Sequence, residues 1–323
     1  MLTNSVLMII GFVLLTYAAD RFVAGSAAIA RNFGLSPLVI GLTIVALGTS
    51  APELFVSITA ALQGNAGLAV GNVIGSNIAN IGLVLGVSAM IAPLSVHSKV
   101  LRREYPILFF IMLLTWSLML DGDLDRFDGI ILLICCVLLM AGLAWLALST
   151  RNHEPMTQEY EQEYGKPMAT RTAVGWFIFG LILLPLSSKL IVFSAVEIAK
   201  VFGMSDLIIG LTIVALGTSL PEVAASIIGA IKGEHDIAIG NILGSNMFNL
   251  VAVLPFAGLI DPHILDTHIL TRDIPVMLGV TIILFIVAYG FRGPGHITRW
   301  EGILLIACYV SYIAWLIYSA SIL

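Results

Sequence analysis

The chain has 323 residues, of which 59% are hydrophobic and only 11% are charged. A soluble domain carries about a quarter charged residues, so this composition excludes a soluble enzyme and a disordered chain. It predicts an integral membrane protein surrounded by lipid. The formal net charge of −5 provides no basic surface for nucleic acid, and no nucleic-acid partner is expected.

Continuous apolar runs predict the membrane-spanning elements. A bilayer core about 30 Å thick requires roughly 20 apolar residues for each helix, and continuous rather than alternating runs favour helices over a β-barrel. The predicted spans are about 4–30, 36–62, 66–92, 105–120, 127–149, 172–199, 206–231, 236–260, 273–290 and 300–321. We therefore expect an all-α membrane protein with ten transmembrane helices.

The distribution of Lys and Arg between the loops predicts the orientation of the helices. With ten spans, Arg126, Lys200 and Arg272 share a side with both termini, whereas ten other Lys and Arg residues lie on the opposite side. Positive residues concentrate in cytoplasmic loops. Both termini are therefore predicted to be extracytoplasmic.

One long polar connection separates the spans into two sets of five. It covers 151–171, contains four Glu residues and lacks the ligand spacing of a calcium loop, so we interpret it as a solvated cytoplasmic linker. The predicted organisation is a first five-helix repeat over 1–150, the linker over 151–171, and a second five-helix repeat over 172–323.

The two halves repeat each other after a shift of 169 residues. Residues 40–50 and 209–219 both read IGLTIVALGTS, and GNVIGSN at 71–77 corresponds to GNILGSN at 240–246. Because each half contains an odd number of spans, the second half enters the membrane from the opposite face. Inverted repeats of this kind are typical of secondary transporters, which hold their ions near the membrane midplane.

The first repeated motif places a glutamate directly after a proline, as Pro52-Glu53 and Pro221-Glu222. Proline lacks an N–H and clashes with the carbonyl four residues earlier, so each helix is predicted to break beside Ser and Thr residues. A carboxylate at the bilayer centre costs several kcal/mol and indicates function. Its recurrence in both halves makes a purely structural role less favoured. Hydroxyls, freed carbonyls and carboxylates are the oxygen ligands that calcium prefers.

Polar residues of the second motif recur every four residues and therefore share one helix face: Asn72, Ser76 and Asn80, and Asn241, Ser245 and Asn249. Glycines beside them permit close helix packing. We expect the Ser residues, Asn80 and Asn249 to face an ion. A role in merely holding helices together stays open for Asn72, Asn77, Asn241 and Asn246.

At these motifs the sequence resembles the calcium/cation antiporter superfamily, on the sodium/calcium exchanger side. GTSAPE with GNVIGSNIAN, and GTSLPE with GNILGSNMFN, are similar to its two alpha-repeats. The resemblance covers essentially the whole chain, and the short central loop is similar to that of prokaryotic members. It implies the sodium/calcium exchanger fold, exchange of Na⁺ for Ca²⁺ by alternating access across a prokaryotic inner membrane, no enzyme activity and no bound cofactor.

The resemblance also implies the residues of the ion sites, by motif position. Calcium would be held by Glu53 and Glu222 with backbone oxygens of Thr49 and Thr218. Sodium sites would share these four residues and add Ala46, Ser50 and Ser76 toward one face, Ala215, Ser219 and Ser245 toward the other, and Asn80 and Asn249 at a central position. The first and sixth spans would slide over the other eight to switch access.

Asn249 is a departure from the family pattern, since related exchangers carry Asp there. Glu53 and Glu222 alone supply a charge of −2, which one Ca²⁺ or two Na⁺ neutralise. A calcium/proton antiporter on the same scaffold is therefore the main alternative, because buried carboxyls can exchange protons. A cation channel and an intramembrane enzyme are less favoured, the latter because no hydrolase or protease constellation is visible. No protein partner is indicated, and the oligomeric state stays open, a monomer included.

Overall fold

The computed structural model describes residues 2–97, 100–150, 168–202, 215–289 and 295–320. Most of the predicted linker (151–167) and part of the predicted seventh span (206–214) lie outside the described residues. Helices make up nearly all of what is described, as the continuous apolar runs predict.

Twelve helices and four short strands are described, and the helices of the first half come first. They are α1 Leu2–Phe33, α2 Pro37–Thr49, α3 Ala51–Leu62, α4 Ala66–Ile91, α5 Tyr105–Leu118 and α6 Arg126–Thr150. The second half has α7 Thr170–Val201, α8 Ala215–Thr218, α9 Leu220–Ile231, α10 His235–Ile260, α11 Ile269–Ala288 and α12 Arg299–Ala320. The strands are β1 Leu94–Val96, β2 Asp123–Leu124, β3 His263–Ile264 and β4 Gly295–Ile297.

Seven of the described helices are long and apolar enough to cross a membrane, namely α1, α4, α6, α7, α10, α11 and α12. Helices α2 and α3 pass the same test as one bent pair. Helices α5 and α9 are shorter, with 14 and 12 residues. The chain is thus a helical membrane protein, while the count of ten spans in two inverted repeats stays a prediction.

Several helices contain or directly follow a π-helical turn, in which each backbone hydrogen bond spans one residue more than in an α-helix. They lie at Gly41–Val45, Asn80–Leu85, Val100–Glu104, Asn249–Val253 and Ile269–Asp273. The second and fourth begin 169 residues apart, as do the third and fifth. Such turns are rare and often accompany functional sites, so their recurrence extends the repeat from sequence to backbone geometry.

The first of two compact units comprises Met1–Pro52 and Val137–Gly244. Its core is built mainly by α1 and α7, where Phe22 stacks on Phe177 with ring centroids 5.1 Å apart. In the second half of α1, Asp20 and Arg31 form ion pairs of 2.8 Å with Lys232 and Glu234, respectively. These pairs connect the helix to the loop between α9 and α10.

The second compact unit comprises Glu53–Cys136 and Ser245–Leu323. Its strands form two antiparallel pairs, β1 with β4 and β2 with β3, in which Ser95 lies opposite His296 and Asp123 opposite Ile264. Helices α4 and α12 approach so closely that a Cβ at Gly302 would lie 2.6 Å from the Gly86 carbonyl oxygen. Each unit therefore takes helices from both halves of the sequence.

Candidate functional site

Both copies of the proline–glutamate motif break their helix in the same way. Helix α2 ends at Thr49, Ser50 has φ −83° and ψ 7°, and α3 begins at Ala51 with its axis bent by 45°. In the second copy, Ser219 has φ −84° and ψ 3° between α8 and α9. The predicted break thus occurs, and it falls at the serine two residues before the proline.

The break places each glutamate in the first turn of a new helix. Glu53 is the third residue of α3 and Glu222 the third residue of α9, and each side chain is only 1% exposed. The N-terminal end of a helix carries a partial positive charge that favours a nearby anion. The same sequence feature that breaks the helix therefore also stabilises an ionised carboxylate there.

Buried hydroxyl and amide groups form hydrogen bonds next to the first helix break, in the first unit. The Ser50 hydroxyl donates to Glu222 Oε1 at 2.9 Å, although the two residues lie 172 positions apart. The Thr49 hydroxyl donates to Asn241 Oδ1 at 2.9 Å, and Asn241 Nδ2 donates to Ser226 Oγ at 3.0 Å. All five side chains are buried, and these three bonds, called here the polar network, join the end of α2 to α9 and α10.

Two glycines allow this network to form, because they let α2 and α10 touch through their backbones. A Cβ at Gly240 would lie 2.7 Å from the Leu38 carbonyl oxygen, and one at Gly244 would lie 2.6 Å from that of Leu42. Any larger residue would force the helices apart and lengthen the bond between Thr49 and Asn241. The small residues of the second motif therefore have a packing role in this unit.

The second unit repeats part of this arrangement around Glu53. Asn72 Nδ2 donates to Ser57 Oγ at 3.1 Å and also to the Glu53 backbone oxygen at 3.3 Å. Asn72 and Ser57 are the repeat equivalents of Asn241 and Ser226, which make the corresponding bond in the first unit. The amide thus holds α4 against the first turns of α3, the helix that carries the glutamate.

Four asparagines of the second unit form a reciprocal hydrogen-bonded group, called here the asparagine cluster: Asn77, Asn80, Asn246 and Asn249. Asn77 Nδ2 donates to the Asn246 backbone oxygen at 3.2 Å, and Asn246 Nδ2 donates to the Asn77 backbone oxygen at 3.3 Å. Asn80 Nδ2 donates to Asn246 Oδ1 at 3.0 Å, and Asn249 Nδ2 donates to Asn77 Oδ1 at 3.2 Å. Under the 169-residue shift the first two bonds are equivalent to each other, and so are the last two.

The asparagine cluster leaves two carbonyl oxygens without a donor. Asn80 Oδ1 and Asn249 Oδ1 have no hydrogen-bond partner among the described residues, although these side chains are 1% and 0% exposed. Buried polar atoms are nearly always satisfied by protein, water or an ion. The cluster is therefore suited to bind a cation or a hydrogen-bond donor at these oxygens.

The structure places the predicted site residues in buried positions within their own units. The first unit holds Ala46, Thr49, Ser50, Thr218, Ser219 and Glu222, and the second holds Glu53, Ser76, Asn80, Ser245 and Asn249. Ala215 begins α8, and its side chain lies outside what is described. Among the described residues, no group of three or more His, Cys, Asp or Glu could hold a metal.

Asn77 and Asn246 are buried polar residues for which the sequence motifs predict no direct role in ion binding. Both are fully buried, and each accepts a hydrogen bond from a predicted ion ligand, Asn246 from Asn80 and Asn77 from Asn249. Their equivalence under the 169-residue shift was visible in the sequence, but their pairing across α4 and α10 was not. The π-helical turns that begin at Asn80 and Asn249 were likewise missed, since no local pattern predicts them.

One titratable group outside the membrane-spanning helices has a perturbed environment in the first unit. Burial raises the pKa of Glu234 above its ordinary value, and the positive charge of Arg31 opposes this shift. Glu234 belongs to the loop between α9 and α10, away from the helix breaks. We assign it to the ion pairs with α1 rather than to the ion site.

Comparison with known proteins identifies a family that matches this chain along most of its length. A family model described as sodium/calcium exchanger protein matches residues 3–149 and 172–318. CaxA of Alkalimonas amylolytica is 45% identical over 312 residues, which cover 97% of this chain and 98% of CaxA. The inner membrane protein YrbG of Escherichia coli strain K12 is 40% identical over 325 residues, covering 100% of this chain and 99% of YrbG.

Solved structures show the same similarity in three dimensions. The sodium-calcium exchanger NCX_Mj, soaked with zero Na⁺ and Ca²⁺, matches with a TM-score of 0.83 at 32% sequence identity. The match covers 96% of this chain and 98% of the NCX_Mj chain. Other structures of NCX_Mj with similar scores were soaked with Na⁺, Ca²⁺ or Sr²⁺.

Proposed function

Because the chain belongs to the sodium/calcium exchanger family, and is thus a cation/calcium antiporter rather than an enzyme, we propose that it exchanges Na⁺ for Ca²⁺. The observation that carries this proposal is the pair of buried glutamates that follow equivalent helix breaks. Two carboxylates in a dehydrated environment require positive charge, and one Ca²⁺ or two Na⁺ neutralise them equally. Competition between these ions for the same oxygens would couple their transport.

The proposed calcium ligands are Glu53 and Glu222 with backbone oxygens of Thr49 and Thr218. Calcium accepts six to eight oxygen ligands in flexible geometry, and proline at the break removes one intrahelical donor in each copy. The bond from Ser50 to Glu222 supports a shared polar site at the first break. The bound Ca²⁺ and Na⁺ would be transported substrates, and the proposed exchange requires no cofactor.

The proposed sodium ligands include the hydroxyls and amides next to the carboxylates. Ser50, Ser76 and Ala46 would serve one flanking site, and their repeat equivalents Ser219, Ser245 and Ala215 the other, with Asn80 and Asn249 between them. The burial of the described side chains supports this assignment, because a partly dehydrated Na⁺ needs protein oxygens to replace its water. Thr49, Thr218 and both glutamates would be shared with calcium.

Alternating access between two inverted five-helix repeats is the proposed mechanism. The paired helix breaks and the paired π-helical turns support equivalent halves, and an odd number of spans in each half would invert them. We propose repeats over 1–150 and 172–323, with 151–171 as a cytoplasmic linker and both termini outside. An empty site would leave two uncompensated carboxylates that cannot cross an apolar barrier, which would prevent leak.

Glutamine substitutions test the carboxylate assignment directly. Glu53→Gln and Glu222→Gln keep the side-chain size but remove one charge, so Ca²⁺ would bring an uncompensated positive charge into a buried site. We expect each variant to reduce calcium-45 uptake into sodium-loaded proteoliposomes at least tenfold. Glu197→Gln is the matched control, because Glu197 is 42% exposed and pairs with Lys200. Full exchange in both site variants would refute the assignment.

The coupling ion is tested by separating the two gradients. An outward sodium gradient at constant pH should drive calcium-45 uptake, whereas a pH gradient in sodium-free buffer should not. The opposite result would favour a calcium/proton antiporter, for which the neutral side chain at Asn249 is the motivating observation. Uptake without any counter-ion would instead indicate a channel.

A further inference from the structure

The asparagine cluster contains two residues with no assigned function, Asn77 and Asn246. We infer that they are positioning residues, which orient the amides of Asn249 and Asn80 so that only carbonyl oxygens are offered to the transported ion. This inference rests on the proposed function, since it concerns how the central position of that site is built. Asn77 would act through Asn249 and Asn246 through Asn80, and neither would itself touch the ion.

The orientation of the cluster is fixed by two backbone carbonyls. A backbone oxygen can only accept, so the side-chain atom that faces the Asn246 carbonyl at 3.2 Å must be the nitrogen of Asn77, and the one that faces the Asn77 carbonyl at 3.3 Å must be the nitrogen of Asn246. The two amides therefore cannot rotate by half a turn without losing these bonds. Their own side-chain oxygens must then point at the remaining members of the cluster.

Those side-chain oxygens in turn determine how Asn249 and Asn80 are turned. Asn249 donates its NH₂ group to Asn77 Oδ1 at 3.2 Å, and Asn80 donates its NH₂ group to Asn246 Oδ1 at 3.0 Å. A reversed amide would bring two acceptors together in a fully buried position, which is strongly unfavourable. All four NH₂ groups are thus engaged, and the two remaining oxygens are Asn249 Oδ1 and Asn80 Oδ1.

The fixed orientation of the amides determines which atoms the cluster offers to an ion. The two oxygens are buried and have no donor among the described residues, so a cation or water must satisfy them. Amide oxygens carry no formal charge and do not titrate, so the cluster contributes ligands without adding charge or binding protons. If an amide could rotate, it would present NH₂ to the cation and lose that ligand.

A double-mutant cycle tests the inference. The singles Asn77→Ala and Asn249→Ala, and their double variant, are compared by the sodium concentration that gives half-maximal calcium-45 exchange in proteoliposomes. We expect each single to raise this concentration about tenfold, corresponding to one lost ligand. The double should be no worse than Asn249→Ala alone, because Asn77 acts through Asn249. Ser88→Ala is the control, since the hydroxyl of buried Ser88 in the same helix donates to the Val84 carbonyl and, among the described residues, to no member of the cluster.

The equivalent pair, Asn246 and Asn80, provides an independent second test if one variant does not fold. Asn246→Ala, Asn80→Ala and their double should show the same non-additivity, whereas Asn77→Ala with Ser88→Ala should be additive. If Asn249→Ala and Asn80→Ala shift the sodium dependence but the partner variants do not, or if the doubles are additive, the positioning inference is wrong and the proposed function stands. If Asn249→Ala and Asn80→Ala leave the sodium dependence unchanged, the inference and their ligand assignment both fail. Absence of sodium-dependent exchange in the unmodified protein would refute the proposed function itself.

Discussion

Gly244 offers a sharp test of how the first unit is packed, because it lies where α10 touches α2. A Cβ added here would lie 2.6 Å from the Leu42 carbonyl oxygen and 2.7 Å from Ala46 Cβ. Ordinary contacts of a Cβ begin at 3.4 Å, so Gly244→Ala requires the two backbones to separate by about 0.8 Å. Forcing extra volume into a close-packed interior typically costs about 1–3 kcal/mol.

The same displacement would act on the polar network, since Thr49 in α2 donates to Asn241 in α10. We expect Gly244→Ala to lower the apparent unfolding midpoint in detergent by on the order of 5 °C and to reduce calcium-45 exchange several-fold. Gly142→Ala is the matched control in the same unit, because a Cβ there would meet nothing within 4 Å among the described residues. That variant should be neutral or slightly stabilised, since Ala is the better helix former.

A result in which Gly244→Ala and Gly142→Ala are equally stable and equally active would refute the packing argument. It would show that α2 and α10 do not approach as closely as their backbone contacts require. Loss of exchange with unchanged stability would instead assign Gly244 to the transport cycle, where the two helices must separate or move.

Two further predictions concern the ion pairs of α1. Lys232→Gln removes a 2.8 Å ion pair with Asp20, in which the two side chains are 30% and 38% exposed. We therefore expect the free energy of unfolding to fall by at most about 1 kcal/mol. Thermal unfolding should show this difference at low salt and not in 1 M choline chloride, and a difference that persists at high salt would contradict an electrostatic origin. Burial raises the pKa of Glu234, although the positive charge of Arg31 opposes the shift. The Glu234 carboxyl therefore keeps its proton to higher pH in the folded protein than in the unfolded chain. Its contribution to stability is therefore present below the ordinary carboxyl pKa and is lost as pH rises through the raised pKa. Glu234→Gln should flatten that part of the stability profile, and an unchanged profile would show that the Glu234 carboxyl does not titrate there.

The sequence by itself determined the class of protein, the repeat and the polar residues of interest. Hydropathy reports whether each segment prefers lipid, which is a local property, and a shift of 169 residues aligns Glu53 with Glu222 without any coordinates. Proline predicted the helix breaks, because its missing N–H and its ring act within one turn of the same helix. The family could also be named at this level, since its motifs are contiguous.

Only the tertiary structure decided which polar groups meet. The bonds of Ser50 with Glu222 and of Thr49 with Asn241 join residues 172 and 192 positions apart, and no periodicity within a helix predicts a partner on another helix. The direction in which Asn80 and Asn249 turn their amides depends on backbone carbonyls of Asn77 and Asn246. Side-chain orientation is set by neighbours brought close through packing, so it follows from the arrangement of helices rather than from the order of residues.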